Sequence, residues 1–204
     1  MSIGTYAQLT TALQDWSKRP DLPAYMADFV TLGEARINRD LRLRRQVTNT
    51  TLTTVSGTQG VTLPTDWLET ENLTISSSSP PRMVAILTPE QMDRSFPAGV
   101  WTGTPEYAAV VGNTLQFGPT PDAAYSVSLD YYAKWAIATS LTNWLLTNHP
   151  GVYLTAAMIE LCMYTFDDDR LTVWESKYRS EKDALQFADD SAIRSGSSLR
   201  VRAM

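Results

Sequence analysis

The chain has 204 residues, 43% of them hydrophobic and 19% charged, a composition typical of a globular protein with a buried core. Its single cysteine and single histidine exclude an intramolecular disulfide and leave too few ligands for a structural zinc site. The formal net charge of −5 argues against binding nucleic acid through its phosphates, because that affinity depends on clustered Lys and Arg.

Two amphipathic helices are predicted within residues 1–45. Thr5 followed by Gln8 forms a capping-box pattern. Apolar residues then recur at helical spacing as far as the turn at 19–21: Tyr6, Leu9, Leu13 and Trp16. A second apolar stripe begins after that turn: Met26, Phe29, Val30, Gly33, Ile37 and Leu41. The sequence therefore predicts an N-terminal helical hairpin.

A β-rich region is predicted over residues 46–142. The segment 46–65 has no charged residue and is rich in Thr, Val and Gly, which are common in strands and turns. Gly112-Asn113 has the sequence of a two-residue hairpin turn. Apolar residues alternate with polar ones further on, as in a strand with one buried face: Tyr125, Val127, Leu129 and Tyr131. Thr88 to Gln91 predicts one short helix, because it combines a capping box with proline at the first helical position.

Helical spacing returns over residues 143–190. One apolar stripe follows Pro150: Val152, Ile159, Cys162, Met163 and Phe166. Another follows the acidic segment 167–169: Leu171, Trp174, Tyr178 and Leu185. Residues 191–204 have few apolar side chains and predict an extended tail. The expected fold class is α+β: a bundle of four main helices, an antiparallel β-rich domain inserted between helices 2 and 3, and the C-terminal tail.

Candidate catalytic and metal-binding residues have structural interpretations that we favour. His149 lies in a helix-breaking loop directly before Pro150, and Cys162 lies on an apolar stripe where a thiol packs like a small hydrophobe. The acidic run 167–169 lacks the spacing of a calcium loop and is expected to cap a helix. We expect no catalytic residues, no cofactor and no metal.

Five arginines lie at and after the end of the second predicted helix: Arg36, Arg39, Arg42, Arg44 and Arg45. Cations are favoured at the C-terminal end of a helix, so a solvated helix end is one interpretation. The alternative is a contact with another subunit or another protein through paired arginine and carboxylate groups.

The motifs in this order resemble the recurring landmarks of the adaptor proteins of podophages and some siphophages. They are EARINRDLR at 34–42, LPTDWLE at 63–69, TPEQMDRSF at 88–96, GNTLQFGPTPDAAYSVSLDYYAKW at 112–135 and NWLLTNHPGVYL at 143–154. Asp167 to Arg170 and the helix carrying Trp174 and Tyr178 follow them. The similarity covers nearly the whole chain. It departs from the family at 149–151, where relatives often show an acidic residue after the proline.

This resemblance implies a structural virion protein that assembles in the host cytoplasm into a dodecameric ring at the head-tail junction of a tailed phage. The partners it implies are the portal protein, the tail nozzle protein and further copies of the chain. In related adaptors the C-terminal tail contacts the portal, which implies portal-binding roles for five residues: Arg194, Leu199, Arg200, Val201 and Arg202. The β-rich insertion would face the nozzle and the channel.

The acidic charge is concentrated in that insertion. Residues 46–135 contain eight Asp or Glu and three Lys or Arg, whereas the two flanking segments carry +2 and −2. Negative channel walls repel the phosphate backbone, so DNA would pass through such a ring without sequence-specific binding.

Other functions remain as alternatives. A stopper or a nozzle subunit would differ only in the neighbour that it binds. A cell-wall carbohydrate-binding module would use exposed tryptophans among Trp67, Trp101, Trp135 and Trp144, although packing is the commoner role of such residues. A glycosidase would need two of Glu69, Glu71 and Glu106 at a fixed separation, which nothing in the sequence provides. No stretch approaches the roughly 18 apolar residues of a membrane span, so we expect no membrane partner.

Overall fold

The computed structural model describes residues 3–78, 80–97 and 101–194. Contacts between residues divide the chain into two units. A helical unit contains residues 1–45 and 135–204, and a β unit contains residues 46–134. The fold is α+β, as the sequence predicts.

The helical unit has four longer helices and several short ones. The helices are α1 (Tyr6–Ser17), α2 (Met26–Asp40), α4 (Ile137–Ser140), α5 (Trp144–Asn148), α6 (Pro150–Thr165) and α7 (Asp168–Arg194). Two 3-10 turns, Pro23–Tyr25 and Arg44–Gln46, precede α2 and the first strand. Within the described part of the chain, no helix is both long and apolar enough to cross a membrane.

The central element of the helical unit is α6. It contacts α1, α2, α5 and α7, and every residue from Val152 to Ile159 is buried. A helix that is apolar on all sides belongs in the middle of a core. Leu9 and Leu13 of α1, with Ile37 of α2, complete that core and are fully buried.

The close approach of α2 to α6 requires a glycine. A Cβ atom at Gly33 would lie 2.8 Å from the backbone nitrogen of Ala157 and 3.1 Å from the carbonyl carbon of Ala156. Both distances are too short for a side chain, so only glycine lets the two helix backbones come this close. The two alanines keep the facing surface of α6 equally flat.

Two polar residues of α2 bind the segment that leads out of the β unit. The side chain of Asn38 donates to the carbonyl of Trp135 (3.0 Å) and accepts from its N–H (2.8 Å). Glu34, one helical turn earlier and 8% exposed, accepts from the N–H of Ile137 (2.7 Å) and the hydroxyl of Tyr153 (2.9 Å). The N–H and carbonyl of Trp135 and the N–H of Ile137 are thereby satisfied by side chains of α2.

A further hydrogen bond extends this network to α5. The Asn143 side chain donates to the Tyr153 hydroxyl (2.7 Å) and, as the N-cap of α5, accepts from the N–H of Leu146 (2.8 Å). Burial raises the pKa of Glu34 above its ordinary value, although its two hydrogen bonds act in the opposite direction. Burial also raises the pKa of Tyr153, and the Glu34 charge beside it adds to this effect.

The described residues of the β unit, 46–78, 80–97 and 101–134, form ten strands and one short helix. The strands are β1 (Val47–Thr53), β2 (Gly60–Thr62), β3 (Trp67–Ile75), β4 (Arg82–Met83), β5 (Ala85–Ile86), β6 (Thr102–Gly103), β7 (Tyr107–Val111), β8 (Thr114–Gly118), β9 (Thr120–Pro121) and β10 (Ser126–Ala133). The helix, α3, spans Pro89–Ser95.

Two four-stranded sheets share the core of this unit. Their strand orders are β1-β10-β3-β4 and β2-β8-β7-β5, and all pairs are antiparallel except β5 with β7. A parallel pair, β6 with β9, forms a third small sheet. One apolar cluster draws on both larger sheets: Leu63, Leu73, Ile75, Val84, Ala108, Leu115, Phe117, Val127, Leu129 and Tyr131.

Three local predictions for the β unit are confirmed. Val127 and Leu129 of β10 are fully buried, as the alternating pattern predicts. Gly112 turns with φ +61° between β7 and β8, whose ends pair as Val111 with Thr114. Thr88 and Gln91 form the reciprocal capping box of α3.

Four details of the sequence prediction differ from the structure. The Gln8 side chain accepts from Gly4 and not from Thr5, so only half of the first capping box forms. Residues 135–142 belong to the helical unit, because Glu34 and Asn38 bind them there. Helix α7 continues through residues 191–194, where the sequence predicts the start of the tail.

The fourth difference concerns apolar residues predicted to be buried. Met163 and Phe166 are 53% and 89% exposed, and Trp16 is 45% exposed. Phe166 lies at the C-cap of α6 with φ +55°, so the chain turns away from the helix there. Apolar spacing could not show this turn, because α6 is buried on all sides up to Cys162.

We expect Glu34→Ala to lower the free energy of unfolding by about 2–4 kcal/mol, because each buried donor left unpaired costs about 1–3 kcal/mol. The unpaired groups would be the Ile137 N–H and the Tyr153 hydroxyl. Urea denaturation measures the change, and Glu175→Ala, on the exposed surface of α7, is the matched control. A loss equal to that of the control would contradict the structural role of Glu34.

The stability contribution of Glu34 should depend on pH. Its pKa is higher in the folded protein than the ordinary 4.5, so folding favours the protonated carboxyl. Its favourable contribution is therefore fully present below the unfolded-state pKa and is lost as pH rises through the folded-state value. Glu34→Gln removes this titration, so its stability relative to the wild type should rise between pH 4 and 7. Parallel stability profiles for the two proteins would exclude the effect.

Candidate interaction surface

The structure gives the first of the five clustered arginines a partner within the chain. Arg36 donates from Nε (2.9 Å) and Nη2 (2.6 Å) to Oε1 of Glu160 on α6. The two side chains are only 22% and 15% exposed. This half-buried ion pair joins α2 to α6, so Arg36 acts in the fold of the subunit.

Arg39 and Arg42 have short-range partners. Arg39 pairs with its neighbour Asp40 (3.0 Å), and its side chain remains 70% exposed. Arg42 donates to the carbonyls of Asn38 (2.6 Å) and Leu41 (2.8 Å), which satisfies acceptors left free at the end of α2. Arg39 is therefore the more accessible of the two for an outside partner.

Arg44 and Arg45 contact other elements of the helical unit. The backbone N–H and Nε of Arg44 donate to the carboxylate of Asp189 on α7 (2.9 and 3.0 Å). The Arg45 guanidinium lies over the ring of Trp144, 5.6 Å from its centroid. The cluster thus combines intramolecular contacts with exposed charge, since the Arg44 side chain is 47% exposed.

A polar cleft of about 200 Å³ lies beside Arg36, between α2, α6 and α7. The hydroxyl of Tyr178 donates to Asp40 across it (3.2 Å). Burial raises the pKa of Tyr178, and the Asp40 charge acts in the same direction. Charged residues of both signs line the cleft, together with Ile159 and Tyr178: Arg36, Asp40, Glu175, Arg179 and Lys182.

His149 and Cys162 lie where structural roles place them. The His149 ring packs against Trp144, with centroids 5.3 Å apart, between α5 and α6. Cys162 is 2% exposed, and burial raises the pKa of its thiol, which disfavours the reactive thiolate. Among the described residues, no group of three His, Cys, Asp or Glu side chains is placed to hold a metal ion.

Asp167, the first residue of the acidic run 167–169, directly precedes α7 and caps it. Oδ1 of Asp167 accepts from the N–H of Arg170 (3.4 Å), and its other oxygen lies 3.6 Å from the Arg170 guanidinium. These contacts match the capping role predicted from the sequence.

The four candidate sugar-binding tryptophans do not form a common platform. Trp135 and Trp144 pack against the helical core. Trp67 packs against the core of the β unit and donates from its ring nitrogen to Thr70 (3.1 Å). Trp101 is 60% exposed. Of these four tryptophans, only Trp101 exposes most of its side chain to a sugar that could stack on it.

The three candidate glutamates of the β unit are surface residues. Glu69 and Glu71 lie on β3, and Glu106 precedes β7. All three side chains are exposed, whereas a glycosidase pair acts across a cleft that holds the sugar.

Sequence reasoning missed an aromatic cluster between α1 and α7. The rings of Trp16 and Trp174 lie 5.8 Å apart, and the Lys177 ammonium lies 5.4 and 5.6 Å from their centroids. Trp16 and Trp174 belong to separate predicted stripes, and no local signal pairs residues so far apart in sequence.

The departure from the family pattern at Gly151 has a structural counterpart. A Cβ atom at this position would overlap the carboxylate of Glu181 on α7. The carboxylate lies at the N-terminal end of α6, where negative charge is favoured. Glu181 of α7 therefore places an acidic group where a side chain at position 151 would lie.

The tail residues of the predicted portal contact are only partly described. The backbone of Arg194 ends α7, and Leu199, Arg200, Val201 and Arg202 lie outside the described residues.

We expect Arg36→Met to destabilise the chain by about 2–3 kcal/mol, because it leaves the half-buried Glu160 without its partner. The double variant Arg36→Met/Glu160→Leu should recover most of this loss. Arg39→Ala, at the exposed pair, should change stability by less than about 0.5 kcal/mol. Chemical denaturation of the four proteins tests the assignment. An Arg36→Met variant as stable as the wild type would instead favour a role between subunits.

The comparison with known families agrees with this architecture. The family model described as SU10 adaptor protein matches residues 4–202, which covers both units. No curated protein matches the chain. The resemblance seen in the sequence is thereby confirmed at the level of a phage adaptor family. The chain belongs to the SU10 adaptor protein family and is a structural protein of bacteriophage virions.

Proposed function

We propose that the protein is a head-to-tail adaptor that forms a dodecameric ring between the portal and the tail nozzle. The observation that carries the proposal is the family match, because it runs through the helical unit and the β unit alike. The geometry of the candidate catalytic residues is consistent with this proposal. His149 packs against Trp144, Cys162 is buried in the helical core, and the three glutamates of the β unit are exposed.

The C-terminal residues would provide the portal contact: Arg194, Leu199, Arg200, Val201 and Arg202. The described part of α7 ends at residue 194, and ten residues follow it in the sequence. Contacts with the portal would have to offset the conformational entropy that these side chains lose on binding. The exposed Arg39 and Arg44 side chains are the second candidate contact, with the portal or with a neighbouring subunit.

The β unit would face the channel and the nozzle. Six of its eight acidic side chains are exposed: Glu69, Glu71, Glu90, Asp93, Glu106 and Asp122. Charge of this sign on a channel wall repels phosphate, which lets DNA slide past without adhering.

The test is to mix the purified protein with the portal protein of the same phage and weigh the product by native mass spectrometry. We expect a mass increment of twelve copies for the full chain and none for a chain truncated after Arg194, which keeps the whole of α7. The double variant Arg39→Ala/Arg44→Ala, with an intact tail, tests the second candidate contact, and a portal contact made by the tail predicts that this variant still adds a ring.

Each alternative has its own outcome in this experiment. A ring that survives truncation but is lost in the arginine variant would move the portal contact to the helices. A parallel mixture with the tail nozzle protein of the same phage completes the test, and association with the nozzle protein alone would favour a stopper or nozzle role. No association with either protein would contradict the adaptor proposal.

A further inference from the structure

The helical unit has an apolar cleft that the proposed ring contacts do not use. It lies between the start of α6 and the C-terminal half of α7 and has a volume of about 280 Å³. Its walls are mostly aliphatic, with one ionisable carboxylate and one imidazole at the edge: His149, Val152, Glu181, Ala184, Leu185 and Ala188. The two alanines, one helical turn apart, leave room for an inserted side chain.

The mostly aliphatic lining of this cleft includes the carboxylate of Glu181. It lies against Gly151 at the first turn of α6 and is half-buried. Within the part of the chain that the structure describes, no hydrogen bond or ion pair to it is found. Its neighbours Lys182 and Asp183 pair with each other (3.6 Å). The N-terminal end of α6 favours this negative charge, and a cationic group that entered the cleft would give the carboxylate a side-chain partner as well.

The sequence that follows α7 contains the apolar and basic side chains that this cleft could bind. Residues 195–198, Ser-Gly-Ser-Ser, link α7 to residues 199–204, which are Leu-Arg-Val-Arg-Ala-Met. In an extended chain Leu199, Val201 and Ala203 face one side, and Arg200, Arg202 and Met204 face the other. The ten residues contain no acidic group.

The linker is long enough to bring this segment back to the cleft of the same chain. Ala188 lies six residues before the end of α7, which is about 9 Å along the helix. Four residues lie between Arg194 and Leu199, and the five Cα-to-Cα steps of an extended chain span up to about 17 Å. The cleft at the far end of α7, near Phe166, is about 40 Å away along the same helix and is out of reach.

We propose that in the free subunit residues 199–203 fold back into this cleft, with Leu199 and Val201 between α6 and α7 and an arginine paired with Glu181. The docked segment is the one that the proposed function assigns to the portal, so portal binding would have to displace it. Self-docking lowers the apparent affinity for the portal in proportion to the docked fraction. It would also keep free subunits from presenting a basic, apolar tail to other partners.

Disulfide cross-linking of the free protein tests the proposal without the portal. In a Cys162→Ala background, the pair Ala188→Cys/Val201→Cys joins the cleft to the tail. The control pair Gln186→Cys/Val201→Cys uses another exposed position, two residues earlier on α7, about 3 Å along the axis and about 200° around the helix from Ala188, so that a tail that is only tethered reaches both. Circular dichroism confirms that each variant keeps its helices.

The proposal predicts an intramolecular disulfide in the monomer for the cleft pair, formed at least about tenfold faster than for the control pair. Adding Glu181→Gln should slow the reaction of the cleft pair, and Glu175→Gln, outside the cleft, should not. Equal rates for the two pairs would overturn the proposal. A disulfide-linked dimer would overturn it as well, because the cleft would then hold the tail of a second copy. The adaptor role could still stand after either result, since the portal assay tests it separately.

Discussion

The helical unit depends on the close approach of α2 to α6 at Gly33. A Cβ atom added to Gly33 would lie only 2.8 Å from the Ala157 nitrogen, so the two backbones are as near as helices without an intervening side chain allow. That contact surrounds the Glu34 carboxylate with protein, where it needs the Ile137 and Tyr153 donors to compensate its burial. The close packing of α2 on α6 therefore also determines where the Glu34 carboxylate is buried.

The same constraint explains why the helical unit can be built from two distant parts of the chain. Glu34 and Asn38 bind residues 135–137, and Arg36, between them, pairs with Glu160. Three polar side chains within one and a half turns of α2 therefore fix where the chain resumes after the β unit and how α6 lies against α2. They all fall within 34–42, one of the segments that carries the family resemblance. The acidic β unit is free to carry a separate surface chemistry, because it has its own core.

The sequence predicted those features that follow from local patterns. The four main helices, the hairpin at Gly112 and the α3 capping box come from periodicity, turn chemistry and capping, which act over a few residues. The burial of Glu34 and the pair between Arg36 and Glu160 could not be predicted, because they depend on contacts across more than a hundred residues. For the same reason, the sequence alone could not decide whether the arginine cluster is a solvated helix end or an interface. Apolar spacing likewise misplaced Phe166, since it does not register where a helix stops.

The central claim is that two units with separate cores serve one ring, with the helical unit at the portal and the acidic unit at the channel. A cryo-electron microscopy reconstruction of the portal bound to this protein, at side-chain resolution, tests it most directly. The account predicts twelve copies, contacts from residues 194–202 on the portal, and the exposed carboxylates of the β unit along the channel. A ring with those carboxylates on its outer surface and basic residues along the channel would contradict it.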